Sequence, residues 1–150
     1  MTETSKMQPT PGTDISLRGE EHVRVYRETN GETGYLWNGT TILLLTTKGR
    51  KSGEPRSIAI IYRQVGDKQV IIASKGGSPV HPAWYLNLLD EPLVEVQIKD
   101  EVFKARARTA DSPEREELWA EAAEQWPAFD TYQSRTDRLI PVVVLERIEG

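Results

Sequence analysis

Residues 93–108, LVEVQIKDEVFKARAR, decide the fold class. In Leu93–Lys99, Val94, Val96 and Ile98 point one way, while Glu95, Gln97 and Lys99 point the other. In Val102–Arg108, Phe103, Ala105 and Ala107 oppose Lys104, Arg106 and Arg108. Successive side chains of a strand face opposite sides, so this alternation predicts two half-buried antiparallel strands. Asp100-Glu101 reads as the tight turn between them.

Outward from this hairpin the chain is mostly strand. Thr41–Thr47 (TILLLTT) is a short β-rich apolar run that suits a buried strand. Ser57–Val65 is another, and it passes through Gly66-Asp67 into Lys68–Ser74. A glycine followed by aspartate between two such runs signals a hairpin. A last strand, Ile140–Arg147, completes the set. Helices are predicted over 18–29, where Val23, Tyr26 and Arg27 make a narrow stripe, over 82–90, and over 112–125. The last has Ser112 as its cap, Pro113 in its first turn, early glutamates, and Leu118, Ala122 and Trp126 on one face. Residues 30–40 carry Gly31, Gly34 and Gly39 and read as a loop. The fold class is thus mainly β (α+β): a small barrel of about six mostly antiparallel strands with a few flanking helices. Residues 1–16 are expected to form a flexible arm and 17–150 a single domain.

Composition narrows the function. Of 150 residues, 37% are hydrophobic, enough for a real core. There is no cysteine, which removes disulfides, thiolate metal sites and cysteine nucleophiles, and the two histidines, His22 and His81, cannot alone build a metal centre. A net charge of −4 argues against nucleic acid as a partner. No signal-peptide core and no run of the roughly 20 apolar residues that span a bilayer is present. The expected location is the cytoplasm, with loose membrane association left open.

Four segments carry chemistry. KGRKSGEPR (48–56) sets Lys48, Arg50, Lys51 and Arg56 against a single Glu54. Guanidinium forks, an ammonium and glycine-exposed amides together suit a phosphate or carboxylate; the plain alternative is a solvated turn. ASKGG (73–77) ends a strand in Ser74, Lys75 and two glycines, which allow close backbone approach to a ligand, although such a stretch alone is an ordinary loop. In HPAWYLN (81–87), Trp84 and Tyr85 could wall a flat cofactor; the bland reading buries Trp84, leaves Tyr85 at the rim and puts His81 on the surface. In WPAFDTY (126–132), Trp126, Phe129 and Tyr132 share a face if helical and form either a lid or ordinary packing.

Together the strings LLLTTKGRKSGEPR, VIIASKGGSPVHPAWYLNLLDEP, VEVQIKDEVFKARAR, AFDTYQSRTDR and IPVVVLER resemble the deazaflavin-dependent nitroreductase family, from about Thr41 to Arg147. The resemblance implies a split β-barrel similar to that of flavin-dependent pyridoxamine oxidases. It also implies coenzyme F420 (F-420), an 8-hydroxy-5-deazaflavin with a phosphate and an oligoglutamate tail. Arg50, Lys51, Ser52 and Arg56 match the family's tail-binding motif. Ser57, Ile58, Ala59 and Ile60 match the strand beside the cofactor, and Ile72, Ala73, Ser74 and Lys75 the backbone along the deazaflavin ring. Ala83, Trp84, Tyr85, Leu86 and Asn87 match the helix start that completes the pocket. Phe129 stands where a tyrosine is common, and Tyr132 matches a further lid position.

The implied reaction is hydride transfer from C5 of the reduced deazaflavin to a small electrophile: a quinone, an activated enone or a nitroaromatic. Protonation follows from solvent or from Tyr132, Tyr62 or Ser74. Trp126 and Phe129 replace tyrosines of nitroimidazole-reducing relatives, which weakens the case for nitro substrates. The competing readings are FMN in the same barrel and a non-catalytic deazaflavin carrier. The chain is expected to be a monomer or a homodimer.

Overall fold

A computed structural model describes residues 19–148; the predicted arm at 1–16 lies outside the described residues. The chain runs α1 (Gly19–Thr29), β1 (Leu36–Trp37), β2 (Thr40–Lys48), β3 (Pro55–Val65), β4 (Lys68–Ile72), α2 (Ala83–Asp90), β5 (Leu93–Ile98), β6 (Glu101–Thr109), α3 (Glu114–Gln125), α4 (Ala128–Ser134) and β7 (Val142–Arg147). All strand pairings are antiparallel. The order β2-β3-β4-β7-β6-β5 closes on itself through β2–β5, leaving β1 as an outer flap on β2.

Two burial regimes explain the sequence pattern. Val94, Val96, Phe103, Ala105 and Ala107 of β5 and β6 fill the barrel with Leu43, Leu45, Ile71, Val143 and Leu145. Their other faces are mostly wet, so the alternation is visible in the sequence. β2, β4 and β7 are covered on both faces. Ile42 and Leu44 pack under Val23 and Tyr26 of α1, and Val70, Ile72, Val142 and Val144 pack under Leu118 and Ala122 of α3 and Phe129 of α4. These strands therefore read as continuous apolar runs. Among the described residues no helix is long and apolar enough to cross a membrane.

Several boundaries move from the expected places. The β5–β6 turn is Lys99-Asp100, not Asp100-Glu101, because Ile98 pairs with Glu101. Lys99 adopts φ 58 there, and its N–H donates to the Tyr26 hydroxyl at 2.8 Å. The fourth strand stops at Ile72, not Ser74, and the last begins at Val142, not Ile140. The predicted loop 30–40 contains β1. Ser112 does not cap α3; its hydroxyl donates to the Glu116 carboxylate at 2.9 Å. The α1 stripe is His22, Val23 and Tyr26, while Arg27 is exposed and donates to the Ser57 hydroxyl.

Candidate functional site

The barrel wall opens along one seam. β3 pairs with β2 from Pro55 to Tyr62 but with β4 only at Arg63, Gln64 and Val65. From Ser57 to Ile61 its second edge has no strand partner among the described residues. Peptide groups in an antiparallel pair point alternately toward and away from the partner. Ile42 N–H donates to the Tyr35 carbonyl at 2.7 Å, and its own carbonyl accepts from the Tyr26 hydroxyl at 3.0 Å. Both therefore point away from β3. Ile61 lies opposite Ile42, so its peptide groups point the other way, into the seam. Ala59 and Ser57 share that parity. Ile58, Ala59, Ile60 and Ile61 are only half-buried.

The seam widens into a groove of about 940 Å³. β3 forms one side; Ile72, Ser74, Lys75 and Gly76 form the other. Glu20, His22 and Val23 of α1 and Trp37 make one lip, and Trp126, Phe129 and Tyr132 make another; the two meet where the Trp37 and Trp126 ring centroids lie 6.1 Å apart. A second pocket of about 270 Å³ is lined by Gly49, Arg50, Lys51, Ser52, Ala83 and Asn87. Arg56, Ile58 and Trp84 line both, so the two cavities adjoin along these residues.

The cationic loop 48–56 is a closed turn. Gly49 N–H donates to the Glu54 carbonyl, and Gly53 N–H to the Gly49 carbonyl, each at 2.8 Å. A Cβ on Gly49 would lie 2.8 Å from the Ser52 hydroxyl, so only glycine lets the turn close this tightly. The Arg50 amide and guanidinium both donate to Asn87 Oδ1, at 3.2 and 2.8 Å, and Asn87 Nδ2 donates to the Thr47 hydroxyl at 3.1 Å. Arg50 and Asn87 thus bolt the loop to α2. Lys51 has no partner among the described residues and lines the small pocket.

The turn Lys75–Gly77 forms the groove floor. Gly76, at φ 64, has open space where a side chain would sit, and so exposes flat backbone. Gly77, at φ 86, would carry its Cβ 2.6 Å from the Tyr132 carbonyl; the glycine lets α4 sit directly on the turn. Arg138 stitches the approach to this turn, donating to the carbonyls of Ala73 (3.2 Å), Ser74 (2.8 Å) and Ser78 (2.7 Å). Burial holds the Arg138 guanidinium below its usual basicity. Tyr132 receives a hydrogen bond from Trp126 Nε1 at 3.4 Å, which leaves its own O–H to donate elsewhere.

Most of the residues singled out in the sequence converge here. Ser57, Ile58, Ala59, Ile60, Ile72, Ser74, Lys75, Trp84, Phe129 and Tyr132 line the groove; Arg50, Lys51, Ser52, Ala83 and Asn87 line the smaller pocket; Arg56 lines both. Four stand apart from both cavities. Ala73 is sealed in the barrel interior. Leu86 touches neither pocket. Tyr85 is buried, with its hydroxyl 2.8 Å from that of Thr109, while Trp84 takes the rim. That reverses the bland reading of this pair. Tyr62 shares the inward parity of Ile58 and Ile60, and its hydroxyl lies 3.0 Å from that of Tyr35 inside the barrel. Burial first, then the Tyr35 hydrogen bond, push the Tyr62 phenol well above its usual range, which makes it a poor acid. His81 is half-buried rather than free; its Nδ1 accepts from Arg138 at 3.1 Å, and burial and that cation lower its basicity.

His22, Trp37 and Arg138 also shape this region and were not picked out as site residues. For His22 a signal existed: it stands four residues before Tyr26, on the same helix face. Trp37 sits in a two-residue strand within a glycine-rich loop, where no periodicity can show.

The profile of the F420H(2)-dependent quinone reductase family matches residues 18–147. The chain is 41% identical over 130 residues to the F420H(2)-dependent quinone reductase Rv1261c of Mycobacterium tuberculosis, covering 84% of this chain and 87% of that one. A solved structure of an F420-H2-dependent reductase, FDR-A, is similar with a TM-score of 0.66 at 43% identity, covering 70% of this chain and 93% of that one. Another, described as a domain-swapped dimer, has a TM-score of 0.69 at 39% identity and covers 85% and 95%.

Proposed function

Since this chain belongs to the F420H(2)-dependent quinone reductase family, we propose that its seam holds coenzyme F420 and that the lips of the groove hold the acceptor. The protein is an oxidoreductase that reduces quinone-type substrates. When bound, the reduced coenzyme supplies the hydride.

The residues present fit that group. The observation that carries the reading is the adjacency of the two cavities: a largely apolar slot and a cationic pocket share Arg56, Ile58 and Trp84. Lys51, Arg56 and Ser52 would hold the tail's phosphate and carboxylates, while Arg50 keeps the loop in place. Ile58, Ile60 and Ile72 offer an apolar bed for a planar ring. The free peptide groups of Ser57, Ala59 and Ile61 and the bare backbone at Gly76 offer donors and acceptors to its polar edges. Phe129 and Trp126 keep water from the slot. Tyr132 O–H, oriented by the Trp126 N–H, would hold an acceptor oxygen, and the buried Ser74 hydroxyl supplies a second contact from the floor. With tryptophan and phenylalanine at 126 and 129, the lip offers stacking more than hydroxyls, which favours quinones over nitroaromatics.

Anaerobic steady-state assays with reduced coenzyme and menadione test this. The expected result is menadione-dependent coenzyme oxidation, faster than with nitroaromatics. Tyr132→Phe should turn over about tenfold more slowly, the worth of one hydrogen bond, with coenzyme affinity nearly intact. Saturating coenzyme and menadione with no oxidation would overturn the proposal.

A further inference from the structure

We propose that His22 is the catalytic acid of this reaction, donating a proton from Nδ1 to an oxygen of the quinone; this rests on the reading above. His22 is 5% exposed, yet it is one of the residues that line the groove. Its Nε2 lies 2.8 Å from the Gly34 carbonyl. A carbonyl only accepts, so Nε2 carries the hydrogen and Nδ1 is left to take or give a proton. Nδ1 has no partner among the described residues and is not among the unpartnered nitrogens sealed from solvent, so it keeps contact with solvent. The ring is held in that pose. A Cβ at Gly34, where φ is +107, would lie 3.2 Å from His22 Cδ2 and 3.3 Å from Nε2, so a glycine is what lets the ring dock. The other histidine is committed to Arg138.

The chemistry needs such a group. Reducing a quinone with one hydride requires one further proton to reach the hydroquinone. As the two electrons arrive, a carbonyl oxygen becomes anionic; the Nδ1–H bond breaks, an O–H bond forms, and neutral imidazole remains. Water at the groove mouth then reprotonates it. A quinone has two oxygens, and each lip carries a group able to donate a proton to one of them, Tyr132 on α4 and His22 on α1. Imidazole changes charge near neutral pH and is the better net donor of the two. The charges facing it are mixed. Glu20 on the lip and Glu21 in the same helical turn are the nearby acids. The helix N-terminus, Arg56 and Lys75 are the nearby positive charges. No ion pair involves His22 among the described residues.

Two measurements decide the matter. First, menadione is titrated into wild-type protein without coenzyme while the imidazole nitrogen resonances are followed, with tryptophan quenching as the independent sign of binding. The His22 Nδ1 resonance should move and that of His81 should not. Second, His22→Gln keeps an N–H for the Gly34 carbonyl but cannot titrate. Its kcat/KM for menadione should fall about a hundredfold and lose the decline with rising pH expected of the wild type, with coenzyme affinity unchanged. A silent His22 resonance while menadione binds, or an unaltered pH profile in His22→Gln, overturns the proposal. The wild-type titration stands whether or not the variant folds. Failure of wild-type protein to bind coenzyme would instead sink the parent reading.

Discussion

The β5–β6 hairpin and the β3 seam are built from the same kinds of residue and come to opposite ends. In the hairpin, Val94, Val96, Phe103 and Ala105 are buried, and β5 and β6 each have a strand on both edges. In the seam, Ile58, Ala59, Ile60 and Ile61 are no less apolar, yet all four stay half-exposed and one edge of their strand is unpaired. The difference is not composition. It lies in where β4 leaves β3 to join β7, a long-range event that frees backbone and apolar surface in the same place. A flat, partly polar ring is what we propose such a gap accommodates.

The contrast is sharpest across a single ladder rung. Leu43 on β2 pairs with Ile60 on β3, and Leu43 is 0% exposed. Leu43→Ala should lower stability by about 2–5 kcal/mol, read by urea unfolding, with coenzyme affinity unchanged for the folded fraction. Ile60→Ala should cost only about 1 kcal/mol of stability but visibly weaken coenzyme binding. Equal stability losses at the two sites would erase the distinction.

The closed part of the molecule also holds its phenols protonated. Burial pushes Tyr26 up to about 12. In the unfolded chain a tyrosine titrates near about 10, so over that interval the unfolded state loses its proton first. The stabilisation is complete below about pH 10 and falls away as pH rises toward about 12, by about 2–3 kcal/mol for Tyr26. Urea midpoints across that range check it; a flat profile would contradict the burial of this ring.

Within the seam's cationic end the two neighbouring cations should separate. Lys51→Ala should weaken coenzyme binding by about 1.5–3 kcal/mol, as for hydrogen bonds to charged groups, and leave the melting temperature in place. Arg50→Ala should weaken binding and stability together, because Arg50 anchors the loop to Asn87. Calorimetric titration with thermal melts distinguishes them.

What the sequence revealed follows from the same contrast. Alternation in 93–108 survives because one face is wet, and Gly66-Asp67 announces its turn because the chemistry is local. The doubly covered β2, β4 and β7 were legible only as apolar runs. Tyr62 and Tyr85 were misplaced because whether a ring faces groove or interior depends on barrel closure, which no local spacing encodes. The spacing of His22 to Tyr26 marks it as part of a helix face, but its pose depends on the Gly34 carbonyl twelve residues away, which no local pattern encodes.

Amide hydrogen exchange with and without coenzyme F420 tests the central claim most directly. The amides of Ser57, Ala59 and Ile61 should exchange quickly in the free protein and become protected in the complex, while those of Val94, Val96, Phe103 and Ala105 exchange slowly in both. Protection that leaves Ser57, Ala59 and Ile61 unchanged, or that appears on the β5–β6 hairpin instead, would contradict the assignment of the seam as the coenzyme's slot.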